Sequence, residues 1–405
     1  ENNGTLFKCD GSGMFCDTAG TPIGGEPSLN WYSTLDSTSY YSSYNLKSDY
    51  GWGDLIELIQ TLKFNPGQLD SVLNIDRVLW AFAVNTVIAN YDSYNGYYVH
   101  NYYLYKAEDG LFQMLPWDLS QSFINALLGW DYFTPQGPSH PQQFDPYYGE
   151  DQSLNRPLTY VLFNNEDYRK QYTAHLRTII NELDTNNIRS QVTDIQSIAA
   201  SGVASDANKL FSLNDFYANA EEDISFAPWG GYGFGGIMSS LRYRLPYLST
   251  HPEISLAPPE LFSVNISNNV VSISALNTSS VSLMATTSSF NSKFQSFDMN
   301  DNGVNGDALA NDGIYSCLLP FSSGNQVKFY IKADNGQAVK LNPERAEYEF
   351  YSYSILSNTL ESSEATAKKL ISITDILGRS AKELYNQPLI YIYSDGSSRI
   401  NFITK

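Results

Sequence analysis

Two periodicities divide the chain into a part that is mainly helical and a part that is mainly β. In "GWGDLIELIQTL" apolar residues recur three and four positions apart, which predicts a helix with one buried face. "NIDRVLWAFAVNTVIANY" (74–91) is apolar on nearly every side, and a helix of that kind belongs in the centre of a domain. Further helical segments are predicted at about 153–164, 166–183 and 186–199.

The pattern changes after "HPEISLAPPE". The runs "LFSVNISNNVVSISAL", "SVSLMATTS", "GIYSCLLPF" and "QVKFYIKADNG" alternate apolar and polar residues between turns rich in Asn, Gly, Asp and Ser. Short alternating runs at such intervals predict a β-sandwich. A Ser/Glu-rich linker (355–368) precedes a tail with three further β-type runs. Since three strands are few for an independently stable sheet, the tail is expected to join a larger sheet or to be an appended signal.

Composition and charge exclude several classes of function. The 405 residues are 42% hydrophobic and 14% aromatic, which is typical of a globular chain of two or three domains. The 24 Lys and Arg against 43 Asp and Glu give a net charge of −19, which argues against nucleic-acid binding. No run of 18 apolar residues occurs, so no membrane span is predicted.

The cysteines give no metal-binding pattern. No CxxC motif occurs and the four histidines are scattered, so a zinc site is not expected. Cys9 and Cys16 are close enough along the chain to close a small loop, and an exported chain would permit a disulfide there. The sequence leaves that bridge open.

The tyrosine-rich stretch "NYDSYNGYYVHNYYLYKAEDGLFQMLPWDLS" carries the candidate chemistry. It predicts a hairpin, because two β-type runs, about 102–106 and 111–115, flank the acidic turn "AEDG". Antiparallel pairing then makes neighbours of Asn101, where the chain enters the hairpin, and Pro116, where it returns.

Three polar side chains are expected at this end of the hairpin. Asp92 and Asn101 precede the hairpin and Asp118 follows it. Two carboxylates and an amide oxygen form a hard oxygen site, the kind that holds Mg²⁺ and orients phosphate groups. Protein kinases have the same layout, but their Asn follows their Asp by about five residues. Because the interval here is longer, the residues alone leave open a Tyr-packed hairpin with solvated acids.

Longer segments of the sequence resemble a known family. "VNTVIANYDSYNGYYVHNYYLY", "GLFQMLPWDLSQSF", "GTLFKCDGSG" and "LRYRLPYLSTHPEI" closely resemble the spore coat protein H (CotH) kinase family, over about residues 1–255. The resemblance implies an atypical kinase-like fold that phosphorylates proteins. It implies that Asp92 is the catalytic-loop acid, that Asn101 is a metal or phosphate ligand and that Asp118 is the Mg²⁺-binding acid. The implied cofactors are Mg²⁺, or Mn²⁺, with ATP.

Two features depart from the family pattern. The family commonly has a second acid in a "PWDxD" motif, where this chain has Ser120. The family's nucleotide-gripping lobe, with its basic residues, lies before the "LFKCDG" segment, and this chain starts just upstream of that segment. We therefore expect the chain by itself to have little kinase activity.

The region 256–354 resembles the Ig-like β-sandwich module that often follows this lobe in exported bacterial proteins. Its loop "DMNDNGVNGDALANDGIYS" matches the first half of a calcium-binding loop, with Leu309 in place of the bidentate Glu. The alternative is a turn-rich loop that caps its own backbone. The candidate Ca²⁺ ligands are Asp298, Asn300, Asn302 and Asp307, with Asp312 as a further acid.

The tail, residues 369–405, resembles the C-terminal sorting signal read by the type IX secretion system of Bacteroidetes. The likeness rests on "ITDILGR" and "NQPLIYIYSDGSSRINFITK", without the usual "YPNP"-like opening. It implies export across the outer membrane by that machinery, and a protein that is secreted or attached to the cell surface. The alternative is that these strands are the last hairpin of the sandwich.

The predicted fold class is an α+β multidomain chain. A mainly helical, atypical kinase-like lobe with a β-hairpin (1–255) precedes an all-β sandwich (256–354), the linker (355–368) and a short β tail (369–405). The leading hypothesis is an exported CotH-type protein kinase, or an inactive relative, whose acceptor protein the sequence does not identify. The alternative is a cell-surface binding or adhesion protein that uses a kinase-like scaffold without catalysis.

Overall fold

The computed structural model divides the chain into two compact units, Glu1–Leu356 and Ser357–Lys405. The first unit combines helices with several antiparallel sheets, which agrees with the predicted α+β composition. None of the helices among the described residues combines the length and the apolar character that crossing a bilayer would require. The structure describes residues 4–11, 15–16, 22–23, 25–124, 141–226, 232–355, 370–375, 378–382, 388–394 and 398–402.

The α-helices lie between residues 52 and 250, and we call residues 4–250 the helical region. Short 3-10 helices accompany them at Ser37–Tyr40, Pro66–Ser71, Leu119–Ile124 and Pro141–Gln143. The α-helices are α1 (Trp52–Phe64), α2 (Ile75–Val87), α3 (Pro157–Asn164), α4 (Glu166–Glu182), α5 (Thr185–Ser205), α6 (Leu213–Ala218) and α7 (Ile237–Thr250).

Helix α2 is the centre of this region, as its all-round apolar pattern predicts. Its start is fixed by Asn74, whose side chain accepts a hydrogen bond from the backbone N–H of Arg77. Nearly every α2 side chain is buried, including Leu79 and Phe82. The Thr86 hydroxyl near its end lies 2.8 Å from the Tyr172 hydroxyl of α4. A helix enclosed on all sides holds the segment that follows it in a fixed place.

The predicted hairpin is present. Strands β5 (Tyr102–Lys106) and β6 (Phe112–Pro116) are antiparallel, and Gly110 in their turn has a φ of +86°. Two strands from the beginning of the chain extend the sheet to the order β4-β1-β5-β6. Those strands are β1 (Leu6–Cys9) and β4 (Asn45–Leu46).

The candidate disulfide is not formed. Cys9 is a free, buried thiol in β1, because the strand packs it among apolar side chains of the core. Two further pairs of short strands complete the helical region: β2 (Phe15–Cys16) with β3 (Pro22–Ile23), and β7 (Ile224–Phe226) with β8 (Tyr232–Phe234).

The β region, residues 260–355, consists of two antiparallel sheets. One has the order β13-β10-β9; the other has the order β12-β11-β14-β15, with β16 also paired to β14. The alternating apolar residues of both sheets form one buried cluster, centred on residues such as Ile273, Leu283 and Phe329. The strands are β9 (Glu260–Ser267), β10 (Val270–Leu276), β11 (Ser280–Thr286), β12 (Gln295–Met299), β13 (Ile314–Leu318), β14 (Gln326–Asp334), β15 (Val339–Asn342) and β16 (Tyr351–Ser354).

The second unit contains a three-stranded antiparallel sheet of its own. Its strands, in the spatial order β17-β18-β19, are β17 (Leu370–Thr374), β18 (Pro388–Tyr393) and β19 (Ser398–Phe402). These are the three β-type runs that the sequence predicts. The predicted linker lies, apart from residue 355, outside the described residues.

A buried polar network joins the helical region to the β region. The carboxylate of Asp76, on α2, lies 2.9 Å from Nε2 of His175 and accepts a hydrogen bond from the backbone N–H of Glu347 at 3.1 Å. The Glu347 carboxyl in turn accepts a hydrogen bond from the Tyr330 hydroxyl at 3.1 Å. Burial, together with the Asp76 charge, raises the pKa of Glu347 well above its usual value.

This arrangement predicts a pH-dependent stability. The unfolded chain releases the Glu347 proton near the ordinary value of 4.5, whereas the folded chain retains it to higher pH. Stability is therefore lost as the pH rises from about 4.5 towards the raised pKa. Because Glu347→Gln keeps an acceptor for Tyr330 and removes the ionisation, we expect it to raise the free energy of unfolding at pH 8 by at least about 1 kcal/mol.

Urea unfolding at pH 4.5 and pH 8 measures the effect, which should almost vanish at the lower pH. The exposed Glu349, two residues along, provides the control variant Glu349→Gln, with an expected change below about 0.5 kcal/mol at either pH. An equal gain at both pH values for Glu347→Gln would contradict the raised pKa.

Candidate functional site

The candidate site begins in an irregular loop, residues 88–101, between α2 and the hairpin. Asn95 in this loop donates hydrogen bonds from Nδ2 to the Phe82 carbonyl at 3.1 Å and to the Thr86 hydroxyl at 3.0 Å. The buried Arg156 donates from Nη1 and Nη2 to the carbonyls of two tyrosines of the loop, Nη1 at 2.8 Å. The loop is therefore held in place from beneath by side chains that are themselves buried.

Asp92, near the start of this loop, is hydrogen-bonded to Asn101 at its end. Asn101 Nδ2 donates to Oδ2 of Asp92 at 3.0 Å and to its backbone carbonyl at 3.2 Å. Asn101 has a φ of +57°, a left-handed conformation that asparagine tolerates better than most residues. The Asp92 side chain remains 22% exposed, so its carboxylate can still be reached from solvent.

A histidine next to Asn101 is the other partner of this carboxylate. Nε2 of His100 lies 2.6 Å from Oδ1 of Asp92. Nδ1 of His100 is buried and has no hydrogen-bond partner among the described residues. Each oxygen of Asp92 thus has one partner, and a carboxylate oxygen can accept a second hydrogen bond.

Asp118 is delivered to the same end of the hairpin by strand pairing. Pro116 lies opposite Tyr102, and the next residue, Trp117, donates its backbone N–H to the Asn101 carbonyl at 3.0 Å. Asp118 follows directly, with a φ of +48° and an exposed side chain.

The electrostatic surroundings keep Asp118 ionised. Hydrogen bonds from Ser120 lower the pKa of Asp118; one of them runs from the backbone N–H of Ser120 to Oδ1 at 3.2 Å. The charges of His100 and Lys8 lower the pKa of Asp118 further. Ser120, at the place of the family's second acid, therefore contributes donors to Asp118 and no second carboxylate.

Sequence reasoning missed two residues whose charges act on Asp118. Lys8 lies in β1 opposite Tyr103, and its ammonium pairs with the carboxylate of Asp10, which raises the pKa of Lys8. His100 precedes Asn101 directly, so its position in the sequence was a usable signal. Lys8 gave no such signal, because only the pairing of β1 with β5 brings it to the hairpin.

The donor set fits a divalent cation that binds together with phosphate. Asp118 is an ionised, exposed carboxylate, and Asn101, whose Nδ2 donates to Asp92, has its amide oxygen as the atom that could coordinate a cation. Mg²⁺ prefers such oxygen ligands and is usually held by one or two carboxylates together with substrate phosphates.

The candidate calcium residues are only partly brought together. Asp298 is exposed on strand β12, Asn300 forms a backbone bridge to β13, and the Asn302 side chain accepts from a backbone N–H two residues on. Only Asp307, with the further acid Asp312, enters an acidic group. That group, whose oxygens lie within 4.8 Å of one another, is Asp301, Asp307 and Asp312.

A comparison with known protein families gives a match over the first part of the chain. The family described as CotH kinase protein matches residues 1–227, more than half of the chain, including the loop, the hairpin and both acids. No curated protein and no solved structure matches the chain. The chain belongs to the CotH kinase protein family.

Proposed function

We propose that this protein is an exported, CotH-type atypical protein kinase that transfers phosphate from a nucleotide to a protein. One observation carries the proposal: the Asn101 amide holds the Asp92 carboxylate at 3.0 Å, beside the backbone pair that delivers the ionised Asp118. An acid and an amide before a hairpin, with an acid after it, is the arrangement that protein kinases use for this chemistry.

Each residue has a distinct role in the proposal. Asp118 and Asn101 hold Mg²⁺, or Mn²⁺, which supplies neutralisation of the charge on the donor phosphates. Asp92 orients the acceptor hydroxyl and accepts its proton, and its partner His100 fixes the carboxylate in one orientation. Lys8, whose charge already acts on Asp118, adds positive potential beside the phosphates.

The competing function is a cell-surface binding or adhesion protein on the same scaffold. It is favoured because both acids already have partners within the protein. Asp92 has a partner on each oxygen, and the Ser120 N–H donates to one oxygen of Asp118. In that case the acids stabilise the loop and the hairpin without transferring phosphate.

Nucleotide binding distinguishes the two functions. With ATP and MgCl₂ or MnCl₂, we expect the melting temperature of the protein to rise by at least about 2 °C. Asp118→Asn should abolish the shift, because a neutral amide cannot balance the cation. Glu108→Gln, an exposed acid in the turn at the far end of the same hairpin, is the control and should keep the shift. Equal shifts in the wild type and Asp118→Asn would contradict the proposed metal ligand.

Phosphate transfer tests the role of Asp92. In the protein isolated from its natural source, transfer from labelled ATP to a protein acceptor should fall at least about 100-fold in kcat for Asp92→Asn, with KM for ATP nearly unchanged. The reason is that the variant loses the proton acceptor and keeps the shape of the side chain. Transfer at the wild-type rate in Asp92→Asn would contradict a catalytic role for this residue.

Export rests on the tail. We propose that residues 369–405, which include the three-stranded sheet β17-β18-β19, form a sorting signal read by the type IX secretion machinery. Deleting 369–405 in a bacterium that has this system should leave the protein inside the outer membrane, whereas the intact protein is secreted or surface-attached. Unchanged delivery of the shortened protein, detected by immunoblotting of cell fractions, would contradict the signal.

A further inference from the structure

Three aspartates converge in the loop that connects the two sheets of the β region. This loop, residues 300–313, leaves β12 in one sheet and enters β13 in the other. Asp301, Asp307 and Asp312 each place one carboxylate oxygen so that the three atoms lie within 4.8 Å of one another. The candidate site formed by Asp92, Asn101 and Asp118 uses none of these residues, so their convergence needs its own explanation.

Asp301 fixes the two ends of the loop against each other. Its Oδ1 accepts a hydrogen bond from the backbone N–H of Asp312 at 3.1 Å, and its Oδ2 accepts one from that of Gly313 at 3.0 Å. The carboxylate of Asp312 is thereby brought back beside the start of the loop. These bonds account for the closure of the loop, but no cationic side chain takes part in them.

Asp307 is the residue that points to a ligand. It is only 7% exposed, and its Oδ2 accepts from the backbone N–H of Gly303 at 2.5 Å. Its Oδ1 is buried and has no hydrogen-bond partner in the part of the chain that the structure describes. A buried carboxylate oxygen without a donor is costly, and two neighbouring carboxylates increase the cost by repulsion. A cation between the three side chains removes both penalties.

The donor chemistry selects among cations. All three side chains offer oxygen, and the group contains no His or Cys, which structural zinc sites require. Mg²⁺ demands a small octahedral shell and gives up its water reluctantly, whereas Ca²⁺ accepts six to eight oxygens in irregular geometry. Since Asp312 is exposed, water can complete the shell on that side.

We propose that Asp301, Asp307 and Asp312 bind a structural Ca²⁺ ion that locks the connection between the two sheets of the β region. The ion offsets two of the three negative charges and coordinates the buried Oδ1 of Asp307. Removing it leaves the loop 300–313 under internal repulsion, and the β region loses stability.

The test uses the full chain after treatment with a chelator, with CaCl₂ and MgCl₂ as the probes. We expect 10 mM CaCl₂ to raise the melting temperature by about 3 °C or more, as a dissociation constant of about 1 mM or tighter implies for an extracellular module. Isothermal titration should give one site. MgCl₂ should produce a clearly smaller shift, and an equal shift would overturn the assignment to Ca²⁺.

Matched variants locate the ion. Asp312→Asn, at an exposed position, should weaken Ca²⁺ binding at least about tenfold while the protein remains folded, and Asp307→Asn should do the same. Asp298→Asn, exposed on β12, should bind Ca²⁺ like the wild type, as should Asp118→Asn in the candidate site at the hairpin. Absence of a Ca²⁺ effect in the wild type, or unchanged binding in Asp312→Asn, would overturn the proposal.

Discussion

The hydrogen bond from the Trp117 N–H to the Asn101 carbonyl, 3.0 Å long, closes the end of the hairpin at which the candidate site lies. It fixes which residues of β5 and β6 lie opposite each other, so that Asn101 and Asp118 lie at the same end of the hairpin. A shift of the pairing by one residue would turn the side chain at 118 to the other face of the sheet. The juxtaposition of Asn101 and Asp118 therefore depends on register, and register depends on the buried face of the hairpin, which includes Leu104 and Met114.

The position of Asp92, the other acid of the site, depends on how firmly its loop is held. Asp92 lies in a loop without regular structure, and such loops are usually the mobile parts of a protein. Here the buried side chains of Asn95 and Arg156 donate to backbone carbonyls and to Thr86, so the loop is tied to helix α2. Because α2 is itself enclosed by the core, the Asp92 carboxylate and the hairpin share one rigid support. Phosphoryl transfer relies on such positioning more than on covalent participation of the protein.

The parts of the site that the sequence predicts are those governed by local rules. The turn "AEDG" between two alternating runs defines the hairpin, and pairing then places Asn101 near Asp118. Lys8 escaped prediction because its place depends on β1 pairing with β5 across about ninety residues, for which no local signal exists. The Cys9–Cys16 disulfide, which the sequence left open, is absent: closeness along the chain does not determine where a residue lies in the fold, and Cys9 is a free thiol in a buried strand.

The loop at residues 300–313 shows how a motif can mark the segment in which acids converge without marking every residue that converges there. The spacing rule begins at Asp298, but strand β12 continues to Met299, and a strand directs alternate side chains to opposite faces of its sheet. Convergence can begin only where the strand ends, so Asp301 takes the first place and the chain must turn back to supply Asp307 and Asp312. The two proposed cation sites differ accordingly. The hairpin supplies few ligands and leaves room for phosphate oxygens, whereas the loop supplies three carboxylates and needs only water to complete its shell. In a chain with a net charge of −19, both proposed sites would use a cation to offset charge repulsion, the first during binding of a substrate and the second as part of the fold.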